Sequence, residues 1–107
     1  SVDDLPRVDA VLALAPEIEF PKRTFCFTGK FANHRRSELH DLTGELSGIP
    51  TKTVGPTLDY LVVGSQGNPC YTFSCYGRKV EQAIRLRKQG ATLLLVSELD
   101  FLDCAQG

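Results

Sequence analysis

The sequence predicts an α/β fold in three layers, with a four-stranded, mostly parallel sheet carrying helices on both faces in the order β-α-β-β-α-β-α. Three observations carry that expectation. Short apolar runs rich in β-branched and aromatic residues alternate with stretches whose apolar residues recur at helical spacing, the pattern of a sheet wound with helices. The run Leu93-Leu94-Leu95-Val96 is continuously apolar, as in a strand buried on both faces. The chain has 107 residues, enough for one modest core without help from disulfides or metal and too few for a second domain.

Taken in order, residues 1–23 read as an acidic, proline-containing leader lying outside the core, because Pro6, Pro16 and Pro21 divide it. Val8, Val11, Leu12 and Ala15 fall at i, i+3, i+4 and i+7, a spacing that admits a short amphipathic helix. The compact domain is expected over 24–104, with 105–107 as a tail. It opens on Thr24-Phe25-Cys26-Phe27-Thr28-Gly29, a buried strand ending at glycine. A helix is predicted over 36–46, where Leu39, Leu42 and Leu46 share a face and Gly48 with Pro50 stops the pattern. Strands are predicted at 51–54 and 60–64, separated by the turn residues Gly55-Pro56. The span 65–76 holds Gly67, Asn68 and Pro69 without a clear period and reads as the longest loop. A second helix follows over 78–89, with Val80, Ala83 and Ile84 on its apolar face and Gly90 as its stop. A strand at 92–96 precedes a last short helix opened by Ser97 as N-cap, with Glu98 and Asp100 in its first turn.

The formal net charge of −1 conceals a strong division along the chain. Residues 1–21 are net −4, residues 22–88 net +6 and residues 89–107 net −3. A basic middle between acidic ends is the pattern of a small module that meets an anion. The longest strongly apolar stretch is far short of the roughly 18 to 20 residues that cross a bilayer, and no basic-then-apolar signal opens the sequence. The expectation is a soluble, intracellular protein that does not engage a membrane. Cys26, Cys70, Cys75 and Cys104 lack the regular spacing of a disulfide framework and read as reduced thiols.

Enzyme signatures are weak. Thr28-Gly29-Lys30 lacks the upstream glycine of a nucleotide P-loop, and Phe31 stands where a hydroxyl residue belongs. His34 and His40 have no serine or cysteine motif to activate and read as surface helix residues. Cys70 and Cys75 with a histidine do not supply paired short-spaced zinc ligands, so neither a metal nor another cofactor is expected. Glu38 with Glu45, and Glu98 with Asp100, sit at spacings of solvated helix faces, and no catalytic residue is assigned.

The anion signal is stronger. Thr28 and Gly29 can direct a hydroxyl and an unhindered backbone N–H at a phosphate, with Lys30 following. Arg35 and Arg36 stand at a helix start, where the positive end of the dipole disfavours cations unless something negative joins them. Arg78, Lys79, Arg85, Arg87 and Lys88 face the single acid Glu81 on the second helix, and Lys79 again opposes the dipole. Tyr71, Phe73 and Tyr76 could stack on bases or lie buried beneath the loop.

Together these runs resemble a BRCT domain over residues 24–104. The resemblance rests on Phe27-Thr28-Gly29, the turn Ser47-Gly48, Asp59-Tyr60-Leu61-Val62-Val63-Gly64, Gly77-Arg78-Lys79-Val80-Glu81-Gln82-Ala83, Gly90, and Val96-Ser97-Glu98 through Phe101. It is closest in style to the single domains of bacterial NAD-dependent DNA ligases and of the large subunit of replication factor C. The resemblance implies a non-catalytic binding module of replication or repair, any catalysis lying elsewhere in a larger protein. Its ligand would be DNA, above all a 5′-phosphorylated duplex end; the alternative is a phosphoprotein or another replication or repair protein. By the same resemblance Thr28, Gly29, Arg36 and Lys79 would hold the phosphate, with Lys30, Arg35 and Arg78 as secondary candidates. Ser47 replaces the family's usual first glycine of a pair, a change expected to affect only the turn. Phe101 replaces a frequent tryptophan in the same core slot. The interval from Lys79 to Gly90 is longer than in the ligase domains, so either Arg78 or Lys79 could be the second helix's phosphate ligand.

Overall fold

The computed structural model describes residues 12–65 and 77–107. Its seven elements are β1 (Thr24–Thr28), α1 (Arg36–Glu45), β2 (Ile49–Thr51), β3 (Tyr60–Val63), α2 (Arg78–Lys88), β4 (Leu94–Ser97) and α3 (Glu98–Gln106). The strands form one four-stranded sheet in the order β2-β1-β3-β4. Every pairing in it is parallel. The predicted element order and sheet are those observed.

Side-chain alternation along the inner strands divides the core into two layers. Cys26, Leu61 and Leu95 stand in register on one face, where Val80, Ala83 and Ile84 of α2 cover them together with Leu58 and Leu93. On the other face Phe25, Phe27, Tyr60, Val62 and Val96 pack with Leu39 of α1 and Phe101 of α3. Phe27 and Phe101 meet edge to face, their ring centroids 5.4 Å apart, a favoured arrangement of aromatic quadrupoles. Phe101 therefore lies in the core, with no exposed surface.

The second strand lies at Ile49–Thr51 and not at 51–54. Pro50, read from the sequence as a helix stop, is a strand residue opposite Phe25. An edge strand tolerates proline because its outer side needs no ladder donor. The chain enters it through a tight turn: Ser47 has φ 69°, and a Cβ on Gly48 would stand 2.8 Å from Thr43 Cγ2 and 3.0 Å from Phe25 Cε1. Gly48 is needed for close approach. Ser47 takes the left-handed conformation that usually falls to glycine after a helix. The strand predicted at 92–96 is likewise shifted, to Leu94–Ser97.

Residues before Thr24 also depart from expectation, since part of the proposed leader belongs to the core. Phe20 is 7% exposed and stacks on Phe25 with centroids 5.1 Å apart. The Tyr60 hydroxyl accepts from the Glu19 N–H at 3.0 Å. Leu12 forms a parallel bridge with Leu95, and the Ala13 N–H donates to the Leu95 carbonyl at 2.8 Å. The prolines do not prevent packing. None of residues 12–23 is helical; Val8 and Val11, the start of the proposed helix, lie outside the described residues. Asp59 fastens the neighbouring strand ends, accepting from the Thr24 N–H at 2.8 Å while its own N–H donates to Thr24 Oγ1 at 3.0 Å.

Candidate phosphate site

In a parallel sheet wound in both directions, ligands settle beyond the carboxyl ends of the strands where the winding reverses. Here that place lies between the ends of β1 and β3. Thr28 closes β1, and its carbonyl accepts from the Gly64 N–H at 2.8 Å. Gly29 turns the chain with φ 85°, a conformation natural to glycine. The following loop lies so close on Gly64 that a Cβ there would overlap the Lys30 carbonyl.

The start of α2 comes to the same place. A Cβ added to Gly77, its N-cap, would stand 3.7 Å from Thr28 Oγ1, so the hydroxyl lies beside the helix N-terminus. Gly77 offers no side-chain cap. First-turn N–H groups that no side chain caps are donors available to an anion. Lys79 is half-buried and Arg78 exposed on this turn.

Arg36, the first residue of α1, folds back over the loop. Its Nη2 donates to the Gly29 carbonyl at 2.9 Å, and its guanidinium carbon stands 5.9 Å from the centroid of the Phe31 ring. Arg35 is the exposed N-cap; its N–H donates to Glu38 Oε1 at 2.7 Å. Glu38 is thus a capping acid, not an idle surface carboxylate. It supplies the negative charge that complements the start of α1. Lys30, Arg35, Arg36, Arg78 and Lys79 make no ion pair among the described residues.

The structure thus brings together Thr28, Gly29, Arg36 and the first turn of α2. It does not bring Arg85, Arg87 and Lys88 to this point. Arg85 pairs with Glu81 at 3.7 Å, and the Arg87 guanidinium donates to the Leu93 carbonyl, fastening the end of α2 to the approach to β4. Tyr71, Phe73, Tyr76, Cys70 and Cys75 lie outside the described residues.

Two side chains near the site depart from their sequence reading. Glu98 is 3% exposed, where a solvated carboxylate was expected. Its oxygens accept from the Ala32 N–H at 2.9 and 3.1 Å, the Ser65 N–H at 3.0 Å and the Ser65 hydroxyl at 2.9 Å. These donors come from loops distant in sequence, so no local spacing announces them. His40, one turn beyond Arg36, is half-buried with its ring centroid 5.1 Å from that of Phe27. Burial, and next the charge of Arg36, hold its imidazole below the ordinary value of 6.5; Lys52 and Lys79 act in the same direction and Asp41 opposes them. Lys52, just past β2, is a cation that the sequence reading did not single out.

Among the described residues no group of three His, Cys, Asp or Glu side chains is placed to hold a metal ion. No described helix is long and apolar enough to cross a membrane.

No family model matches the sequence, and none of the curated proteins matches it. Solved structures do. The C-terminal BRCT domain of human XRCC1 is similar at a TM-score of 0.58 and 12% sequence identity, over 82% of this chain and 79% of that one. At that identity the likeness speaks for the fold alone. With its four parallel strands, their order and the helices on both faces, the chain has the fold of a BRCT domain.

Proposed function

We propose that this domain is a non-catalytic DNA-binding module of replication or repair, which takes a phosphate at the end of β1 and favours the 5′-phosphorylated end of a duplex. The observation that carries the reading is the convergence of the Thr28 hydroxyl, the turn at Gly29, the Arg36 guanidinium and a helix start without a side-chain cap. Arg36 and Lys79 neutralise the phosphate from two sides, while Thr28 and backbone N–H groups orient it. A terminal phosphate carries more charge than an internal diester, so this donor set prefers an end. Lys79 is taken in preference to Arg78 because it is half-buried on this turn while Arg78 is exposed. Lys30, Arg35 and Arg78 are exposed and contribute to non-specific attraction. The parent protein is intracellular, and whatever catalysis it has belongs to other parts of it.

A phosphopeptide would use the same pocket. The surrounding cations Lys30, Arg35, Lys52 and Arg78 favour a polyanion over a single phosphoserine. Fluorescence anisotropy against a recessed duplex, with and without its 5′-phosphate and at two salt concentrations, tests this directly. The phosphate should tighten binding, and Arg36→Ala should remove the gain. Absence of binding to either duplex at micromolar protein in low salt would overturn the DNA reading and make phosphopeptides the ligands to screen.

A further inference from the structure

Glu98 is the most thoroughly engaged buried charge among the described residues, and nothing in the proposed binding reaction uses it directly. Its carboxylate stands at the first position of α3, where the helix dipole favours an anion. It joins three segments that are remote in sequence. The Ala32 N–H donates to both its oxygens at 2.9 and 3.1 Å, fixing the loop that leaves β1. The Ser65 N–H and hydroxyl donate to Oε1 at 3.0 and 2.9 Å, fixing the chain that leaves β3. These are charge-assisted bonds to a group that is 3% exposed, about twice as strong as neutral ones.

The two clamped residues adjoin the candidate site. Ala32 lies three residues beyond Gly29, and Ser65 follows Gly64, whose N–H holds the Thr28 carbonyl at 2.8 Å. Lys30 is pressed against Gly64. Arg36 then anchors on the Gly29 carbonyl at 2.9 Å. Gly29 is therefore held directly by Arg36 and, through the bonds at Ala32 and Ser65, by Glu98.

We infer that Glu98 is a positioning residue of the phosphate site: it holds the loop after β1 and the Gly64-Ser65 exit of β3 in the one arrangement in which Thr28, Gly29 and Arg36 face a common anion. This rests on the function proposed above and adds to it a residue that never touches the ligand. Glu98→Gln preserves shape but removes the charge and sets an amide NH2 against at least one donor. The loops then relax, and a slack of about 1 Å in a binding constellation costs roughly tenfold or more.

The test compares wild type, Glu98→Gln and Ser65→Ala for affinity to a recessed duplex with and without its 5′-phosphate, alongside urea unfolding of each. A residue that serves only the fold lowers both affinities by the same factor, through the unfolded fraction. A positioning residue lowers the ratio between them. The expected result is a phosphate preference reduced by about tenfold in Glu98→Gln and by a smaller factor in Ser65→Ala, with binding to the 5′-hydroxyl duplex nearly unchanged. If Glu98→Gln does not fold, Ser65→Ala carries the test, because it removes only one of the contacts. An unchanged ratio in the folded variants overturns the inference while leaving the site intact. A wild-type ratio of one overturns the phosphate reading itself, and the inference with it.

Discussion

His40 shows how a single side chain can report the state of the site. Its Nε2 is buried without a hydrogen-bond partner among the described residues, so protonating it gains no protein acceptor. Burial first, and Arg36 next, place its folded value below 6.5, with Lys52 and Lys79 assisting and Asp41 opposing. As pH falls through that value the unfolded chain takes up the proton first, so His40's contribution is full above it and is lost as pH descends toward the folded value. The His40 ring protons, followed by NMR in the free domain, should titrate below 6.5, and His40→Gln should flatten the fall in urea midpoint as pH drops below that ordinary value. Titration at or above the ordinary value would contradict this account of its surroundings. A phosphate among these cations offsets the positive field of Arg36, Lys52 and Lys79, so adding the phosphorylated duplex should raise the midpoint. Thr28, Gly29 and Arg36 were legible in the sequence because a hydroxyl, a glycine and a helix-start cation are local signals. Glu98 and His40 were not, because their meaning comes from Ala32, Ser65 and Phe27, which only the fold brings near.

At the scale of elements, α2 carries five cations, and the structure sets them in different surroundings. Lys79 lies on the first turn, whose N-cap Gly77 adjoins the Thr28 hydroxyl, whereas Arg87 lies on the last and donates to the Leu93 carbonyl. The sequence could locate the helix through Val80, Ala83 and Ile84, yet it could not say which cation stands at the candidate site and which fastens the fold. Two substitutions separate the roles. Lys79→Ala should leave stability nearly unchanged and reduce the slope of log affinity against log salt by about 0.9, the share of one phosphate contact. Arg87→Ala should lower stability by about 1 kcal/mol through the lost hydrogen bond while leaving that slope unchanged. Equal salt slopes for the two variants would mean that the whole helix, and not its first turn, meets the DNA. The shifted β2 has a similar origin. Pro50 is a sound helix stop in local terms, and only the edge position of the strand lets it pair with Phe25.

At the scale of the molecule, the sheet has two edges that are protected differently. β2 is short and contains proline, both of which discourage further pairing. β4 is longer and richer in leucine, and its outer side is met by Leu12 and Ala13. Farther along the same segment, Phe20 closes the aromatic cluster with Phe25 and Phe101. The segment therefore does two jobs that composition alone hides beneath its acids and prolines: it covers an edge and completes a core layer. Removing residues 1–21 should cost about 1.5–3 kcal/mol from the loss of Phe20 burial alone. It should also bare the β4 edge, so that the shortened chain self-associates at concentrations where the full chain does not. Phe20→Ala in the full chain separates these effects, because it weakens the core while leaving the Leu95 carbonyl bonded to Ala13. Urea unfolding and sedimentation of the three proteins should then give lowered stability in both altered forms and association only in the truncated one. Association of Phe20→Ala to the same extent would assign the protection to the aromatic cluster instead of the covered edge.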